Sequence, residues 1–124
     1  METADPRHLL AAMLNKSMFV ALREPRDLRQ IQALLPAHLE WAIQAERRGE
    51  LFASGPFAAE GCPPGAAGGM TIVRASSYAE AEAILAKDPF VREGVVNITL
   101  RKWVVMEGGF TVTVRFSDQS AHLV

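Results

Sequence analysis

Apolar residues recur every three or four positions in three stretches of the chain and crowd together or alternate in five others. PRHLLAAMLN (Pro6 to Asn15) reads as a short helix, with Asp5 as N-cap and Pro6 at the first helical position. SMFVALR (Ser17 to Arg23) is a compact apolar run between polar flanks and reads as a strand buried on both faces. Asp27 to Gly49 has helical period, and Pro36 within it should kink or divide the helix. Gly49 follows Arg47 and Arg48 as a C-terminal cap. On that helix His38 points with the apolar face, beside Ile31, Leu34, Leu35, Trp41, Ala42 and Ala45. LFASG (Leu51 to Gly55) and MTIVRA (Met70 to Ala75) read as strands on either side of a Gly/Pro-rich, flexible connection. Ser77 and Glu80 form a capping box for a helix whose stripe is Tyr78, Ala81, Ile84, Leu85 and Asp88. Val95 to Met106 is a long strand, Glu107 to Gly109 a hairpin signal, and Phe110 to Phe116 a strictly alternating, half-buried strand. SDQSAHLV after it reads as a loose tail.

The order is β-α-β-β-α-β, with an extra helix before it and an extra strand after it. This predicts an α+β fold of ferredoxin-like type: a four-stranded antiparallel sheet with two helices on one face. The sheet's other face needs cover, and no later helix supplies it. A second copy of the chain is the economical cover, so a homodimer packed sheet face to sheet face is expected. The chain reads as one domain over 1–124, with 1–16 a helical extension and 107–124 a strand and tail.

Composition narrows the class. A chain of 124 residues suffices for one core, and its net charge of −1 gives no reason to expect a nucleic-acid partner. The longest unbroken apolar run, the six residues LLAAML, is far short of the roughly 20 residues of a membrane helix, so no membrane association is expected. The N-terminus lacks the apolar core of a signal peptide, and Cys62, the only cysteine, leaves no internal disulfide. These points together favour the cytoplasm. The loop GCPPGAAGG lacks the Lys-Ser/Thr of a phosphate-binding loop, and no helix begins where the phosphates would sit. His8, His38 and His122 form no local metal motif, so neither metal nor other cofactor is expected.

One junction conflicts with electrostatics. SYAEAEAILAK runs into Asp88 and Pro89, although the partial charge at a helix C-terminus favours a cation. Asp88 also suits the N-cap of a new one-turn helix that starts at Pro89 and closes at Gly94.

Several strings, in order, carry a resemblance: PAHLEW, SGPF, SSYAEAEAILAKDPFVREGVV and LRKW. Over about residues 17 to 103 the chain resembles the YCII-related (YciI-like) family, of the dimeric α+β barrel group. The resemblance implies a small cleft per subunit, lined by a helix histidine and the aspartate of an Asp-Pro pair. These fall on His38 and Asp88. Gly55 and Pro56 match the turn at the cleft mouth. Arg101 and Trp103 match an Arg-Pro-Trp ending in which Lys102 replaces the proline. The few activities proposed for relatives are proton transfer, elimination or isomerisation on small ring compounds.

Each candidate has a plain alternative. His38 is either a core histidine bonded to backbone or an acid/base group. A carboxylate bonded to an imidazole fixes its tautomer, and such a group contributes about 10²–10⁴ in rate. Asp88 caps a helix, pairs with His38, or does both, since one carboxylate accepts several hydrogen bonds. Trp41 and Phe90 are core or dimer contacts, or stack on a substrate. Ser54 is placed to donate to a ligand at the strand end; with no base adjacent in sequence, a nucleophile role is weak. Arg101 either clamps an anionic substrate or forms a surface or interface salt bridge.

Two functions follow. One is a cofactor-free lyase or isomerase acting on a small cyclic or acidic metabolite, with His38 moving a proton and Asp88 orienting it. It requires the two side chains within hydrogen-bond reach or one water apart. The other is a non-catalytic small-ligand-binding or dimeric interaction module, suggested by the alternating terminal strand.

Overall fold

The computed structural model of the chain describes residues 5–123, which form two compact units. The larger, Ser17–Val104, contains the sheet. Its elements are β1 (Lys16–Pro25), α2 (Leu28–Arg47), β2 (Leu51–Pro56), β3 (Gly69–Val73), α3 (Tyr78–Leu85), the one-turn α4 (Pro89–Arg92) and β4 (Val96–Val105). The strand order is β2-β3-β1-β4, the arrangement expected of a split β-α-β unit. β3 pairs antiparallel with both β1 and β2, setting Thr71 opposite Ala21 on one side and Ser54 on the other.

Strand alternation decides what faces the helices. Phe19 and Ala21 point into a core with Trp41, Leu51, Val73 and Leu85, so Arg23, two residues on, points the same way. A second cluster joins Ile31, Phe90, Val95 and Val96.

α2 starts on Asp27, whose carboxylate accepts from the Arg29 and Gln30 amides. It then runs unbroken through Pro36 rather than dividing there. Ile31 before the proline and Trp41 and Ala45 after it are all buried. Packing of both halves outweighs the roughly 3 kcal/mol that an interior proline costs. At the far end Gly49, at φ 78°, lets the chain turn into β2.

α3 opens on Ser77, whose hydroxyl accepts from the Glu80 amide at 3.1 Å. Glu80 reaches back to Ser76 rather than Ser77. Tyr78, expected in the buried stripe, is half exposed. Its ring meets Phe19 edge-on at 4.8 Å, and its hydroxyl accepts from the Lys102 amide.

The smaller unit contains α1 (Pro6–Ala12), β5 (Val112–Arg115) and β6 (Ser120–Leu123). Asp5 caps α1, which ends earlier than expected because Asn15, at φ 53°, donates to the Leu10 and Met13 carbonyls. The terminal segment departs further from expectation. β5 is shorter than Phe110 to Phe116, is largely exposed, and pairs with β6 instead of β4. The supposed loose tail is thus its partner. Asp118 accepts from the Ser120 amide and hydroxyl and closes the turn between them. Among the described residues no helix is long and apolar enough to cross a membrane.

Candidate active site

The Asp88–Pro89 junction is a cap, as the sequence suggests. Asp88 sits at φ −66°, ψ 125°, and its Oδ1 accepts from the Phe90 amide at 3.0 Å. Gly94, at φ 70°, closes the turn. The capping residue is fully buried, which is unusual for a carboxylate. Two further partners account for it. Arg23 Nη1 donates to Oδ2 at 2.6 Å, and His38 Nδ1 lies 2.8 Å from Oδ1. Burial, the largest single influence, pushes the Asp88 carboxyl upward. The His38 hydrogen bond, the Arg23 charge, the His38 charge and the Phe90 amide together outweigh it and hold the group below 3.8.

Asp88 is therefore ionised at neutral pH and can only accept. His38 Nδ1 must then carry a proton, and the lone pair of the neutral ring sits on Nε2. Among the described residues the one hydrogen bond to this ring is at Nδ1. The ring lies nearly parallel to Phe90, with centroids 4.1 Å apart, and the side chain keeps 15% of its surface exposed.

That exposed surface opens on a cavity of about 300 Å³. Ile31, Leu35, Leu39, Ala42, Phe90 and Val96 make its wall mostly apolar; Arg23, Gln32, His38 and Ser54 supply polar side chains. Gly55, Pro56, Gly68 and Gly69 also line it. Two of these positions need glycine. A Cβ on Gly68, at φ +81°, would stand 2.3 Å from the Arg23 carbonyl oxygen, and one on Gly69 would stand 2.8 Å from that of Gly55. The connection read as merely flexible also contributes, through Pro64 and Gly65.

The structure thus gathers His38, Ser54, Gly55, Pro56 and Phe90 around one cavity, with Asp88 behind His38. Two candidates are placed elsewhere. Trp41 is buried in the core, its ring centroid 6.0 Å from that of His38, and does not line the cavity. Arg101 is exposed on β4; Leu100 packs inward, so Arg101 faces away from the helices.

Sequence reasoning missed Arg23 and Thr71. Arg23 Nε donates to Thr71 Oγ1 at 2.7 Å, and Thr71 Oγ1 lies 2.8 Å from Ser54 Oγ. Both signals were available. Arg23 continues the period-two set Phe19, Ala21, and Thr71 shares a face with Val73. Reading Ser17 to Arg23 as a strand buried on both faces hid the alternation. Arg23 Nη2 and Trp41 Nε1 are buried without a hydrogen-bond acceptor among the described residues. There, too, no group of three or more His, Cys, Asp or Glu side chains could hold a metal ion.

Residues 16–103 match the YCII-related domain. The chain belongs to the YCII-related family. Its fold is also similar to a solved structure of 5-chloro-2-hydroxyhydroquinone dehydrochlorinase from Burkholderia phenoliruptrix AC1100, in complex with 2,5-dihydroxybenzoquinone. That likeness has a TM-score of 0.59 at 22% identity, and it covers 69% of this chain and 92% of the other. No match is found among curated proteins. His38, Gly55, Pro56 and Asp88 all fall inside the matched region.

Proposed function

We propose that this YCII-related chain binds a small cyclic or acidic metabolite in the cavity and moves a proton on it without a cofactor, as a lyase or isomerase. The observation that carries the reading is the 2.8 Å contact between His38 Nδ1 and the buried, ionised Asp88, which leaves Nε2 as the ring's free nitrogen on a cavity-lining residue. His38 Nε2 takes a proton from the ligand, and Asp88 stabilises the imidazolium that forms. Return of the proton to a different atom gives isomerisation; departure of a leaving group with its electron pair gives elimination. A positioned base of this kind contributes about 10²–10⁴ in rate. The neighbour of similar fold is a dehydrochlorinase, and a ring compound occupies it. Both facts support the reading by analogy of fold.

A second reading is a non-catalytic ligand-binding protein. The mostly apolar wall and the stacking of His38 on Phe90 favour it, since both suit passive enclosure of a ring. We further propose that the chain works as a homodimer packed through the sheet face opposite the helices, where Leu22 and Trp103 are each more than a third exposed.

Thermal melts with a panel of small ring acids, on wild type and His38→Ala, test the site. Ligand at a hundredfold excess over Kd stabilises by about 2.7 kcal/mol. A shift in wild type that His38→Ala loses supports the reading. An undiminished shift in the variant counts against His38 as the contact.

A further inference from the structure

Ser54, Thr71, Arg23, Asp88 and His38 form one continuous hydrogen-bonded chain, and Ser54 and His38 at its two ends both line the cavity. The direction of each link follows from what each group can donate. A guanidinium has donors only, so Arg23 Nε gives its proton to Thr71 Oγ1 at 2.7 Å. The Thr71 hydroxyl proton then needs an acceptor of its own. Thr71 is fully buried, and among the described residues the one other polar atom bonded to its Oγ1 is Ser54 Oγ at 2.8 Å. Leaving a buried O–H unpaired is costly, so Thr71 donates to Ser54. Ser54, having accepted, keeps its own proton for the cavity. At the other end, Nδ1–H of His38 is engaged by Asp88 and Nε2 is an acceptor. The two ends therefore have opposite hydrogen-bonding character.

We infer that Ser54 is a hydrogen-bond donor to a substrate oxygen, polarised by the Arg23 cation through Thr71, and that the site fits an enolisable cyclic carbonyl compound. This rests on the proton-transfer reading above and names its substrate class. His38 Nε2 removes the proton from the carbon beside the carbonyl. The C–H electron pair becomes the enolate double bond, and the carbonyl pair moves onto oxygen. The Ser54 hydroxyl donates to that developing oxyanion. The proton returns from His38 to carbon, or a leaving group on the neighbouring carbon departs with its electrons. No electrons enter or leave overall. Ser54 is then an electrophilic contact rather than a nucleophile. Thr71 and Arg23 are positioning residues that act through it.

Exchange of α-hydrogen for deuterium in cyclohexanone, followed by proton NMR in D₂O, tests this directly. Wild type should accelerate exchange, and His38→Ala should abolish the acceleration. Ser54→Ala should lower it by about 10²-fold, the usual effect of removing one oxyanion donor. Thr71→Val should lower it at least tenfold, adding little to Ser54→Ala in the double variant, and Thr71→Ser should restore it. Circular dichroism of each variant separates loss of fold from loss of donor, and Thr71→Ser keeps the test valid if Thr71→Val does not fold. Exchange at the wild-type rate in folded Ser54→Ala or folded Thr71→Val, a Thr71→Ser variant as slow as Ser54→Ala, or no acceleration by wild type, overturns the inference. The His38-dependent thermal shift with ring acids is a separate readout, so the broader reading can stand when this one fails.

Discussion

Arg23 Nη1 donates to Asp88 Oδ2 at 2.6 Å, with both side chains buried. This contact resolves the conflict of a carboxylate after a helix C-terminus: the cation it needs comes from β1, across the sheet–helix layer. Desolvating two charges is costly, and it is offset here because both Asp88 oxygens are hydrogen-bonded and Arg23 is held at Nε and Nη1, with Nη2 alone left unpaired among the described residues. Removing one partner strands the other. Asp88→Ala should lose about 3–5 kcal/mol in urea unfolding, since it also removes the α4 cap. In a double-mutant cycle with Arg23→Met the losses should be clearly less than additive. Additive losses would mean that the pair is not coupled.

Acid should weaken the fold through the same residue. The Asp88 carboxyl is held below 3.8 in the folded chain, so around that pH the unfolded chain binds more protons. The stability Asp88 contributes is present above that value and is lost as pH falls through its lower, folded one. The gap in urea midpoint between wild type and Asp88→Asn should therefore be constant around neutral pH and shrink below about pH 4. A gap independent of pH down to acid unfolding would contradict the assignment.

Close backbone approach shapes the cavity floor. Gly69→Ala would place its Cβ 2.8 Å from the Gly55 carbonyl oxygen, and Gly68→Ala adds a contact of 2.3 Å at positive φ. Each should cost about 1–3 kcal/mol and weaken ligand binding. Gly55→Ala meets nothing within 4 Å and should leave stability nearly unchanged. Melting temperatures of the three variants check this ordering.

Sedimentation velocity checks the proposed dimer. Wild type should sediment as a dimer, and Leu22→Glu with Trp103→Glu should shift it to monomer by burying charge at the interface. A monomeric wild type at high concentration would contradict the proposed dimer.

Most of the larger unit was legible because its periods are strong. The order of strands and helices, the caps at Ser77 and Asp88, and the inward face of His38 all follow from spacing and cap chemistry. Trp41 and Tyr78 show the limit of periodicity. It gives a direction, and packing against Phe19 or the core then decides what is exposed. Phe110 to Phe116 shows another limit: alternation marks a strand but carries nothing about its partner, which the Asp118 turn selects as Ser120–Leu123. Arg23 was hidden because a charged residue at the end of an apolar run looks like a flank. Its role depends on Thr71 and Asp88, which are distant in sequence and meet only in the fold.

His38 is the group proposed to exchange a proton with the ligand. For any ring compound that shifts the melting temperature, kcat of wild type and His38→Gln gives the most direct comparison. Turnover by wild type with a loss of about 10²–10⁴-fold in the folded variant is the expected result. Turnover by His38→Gln at the wild-type rate would contradict it.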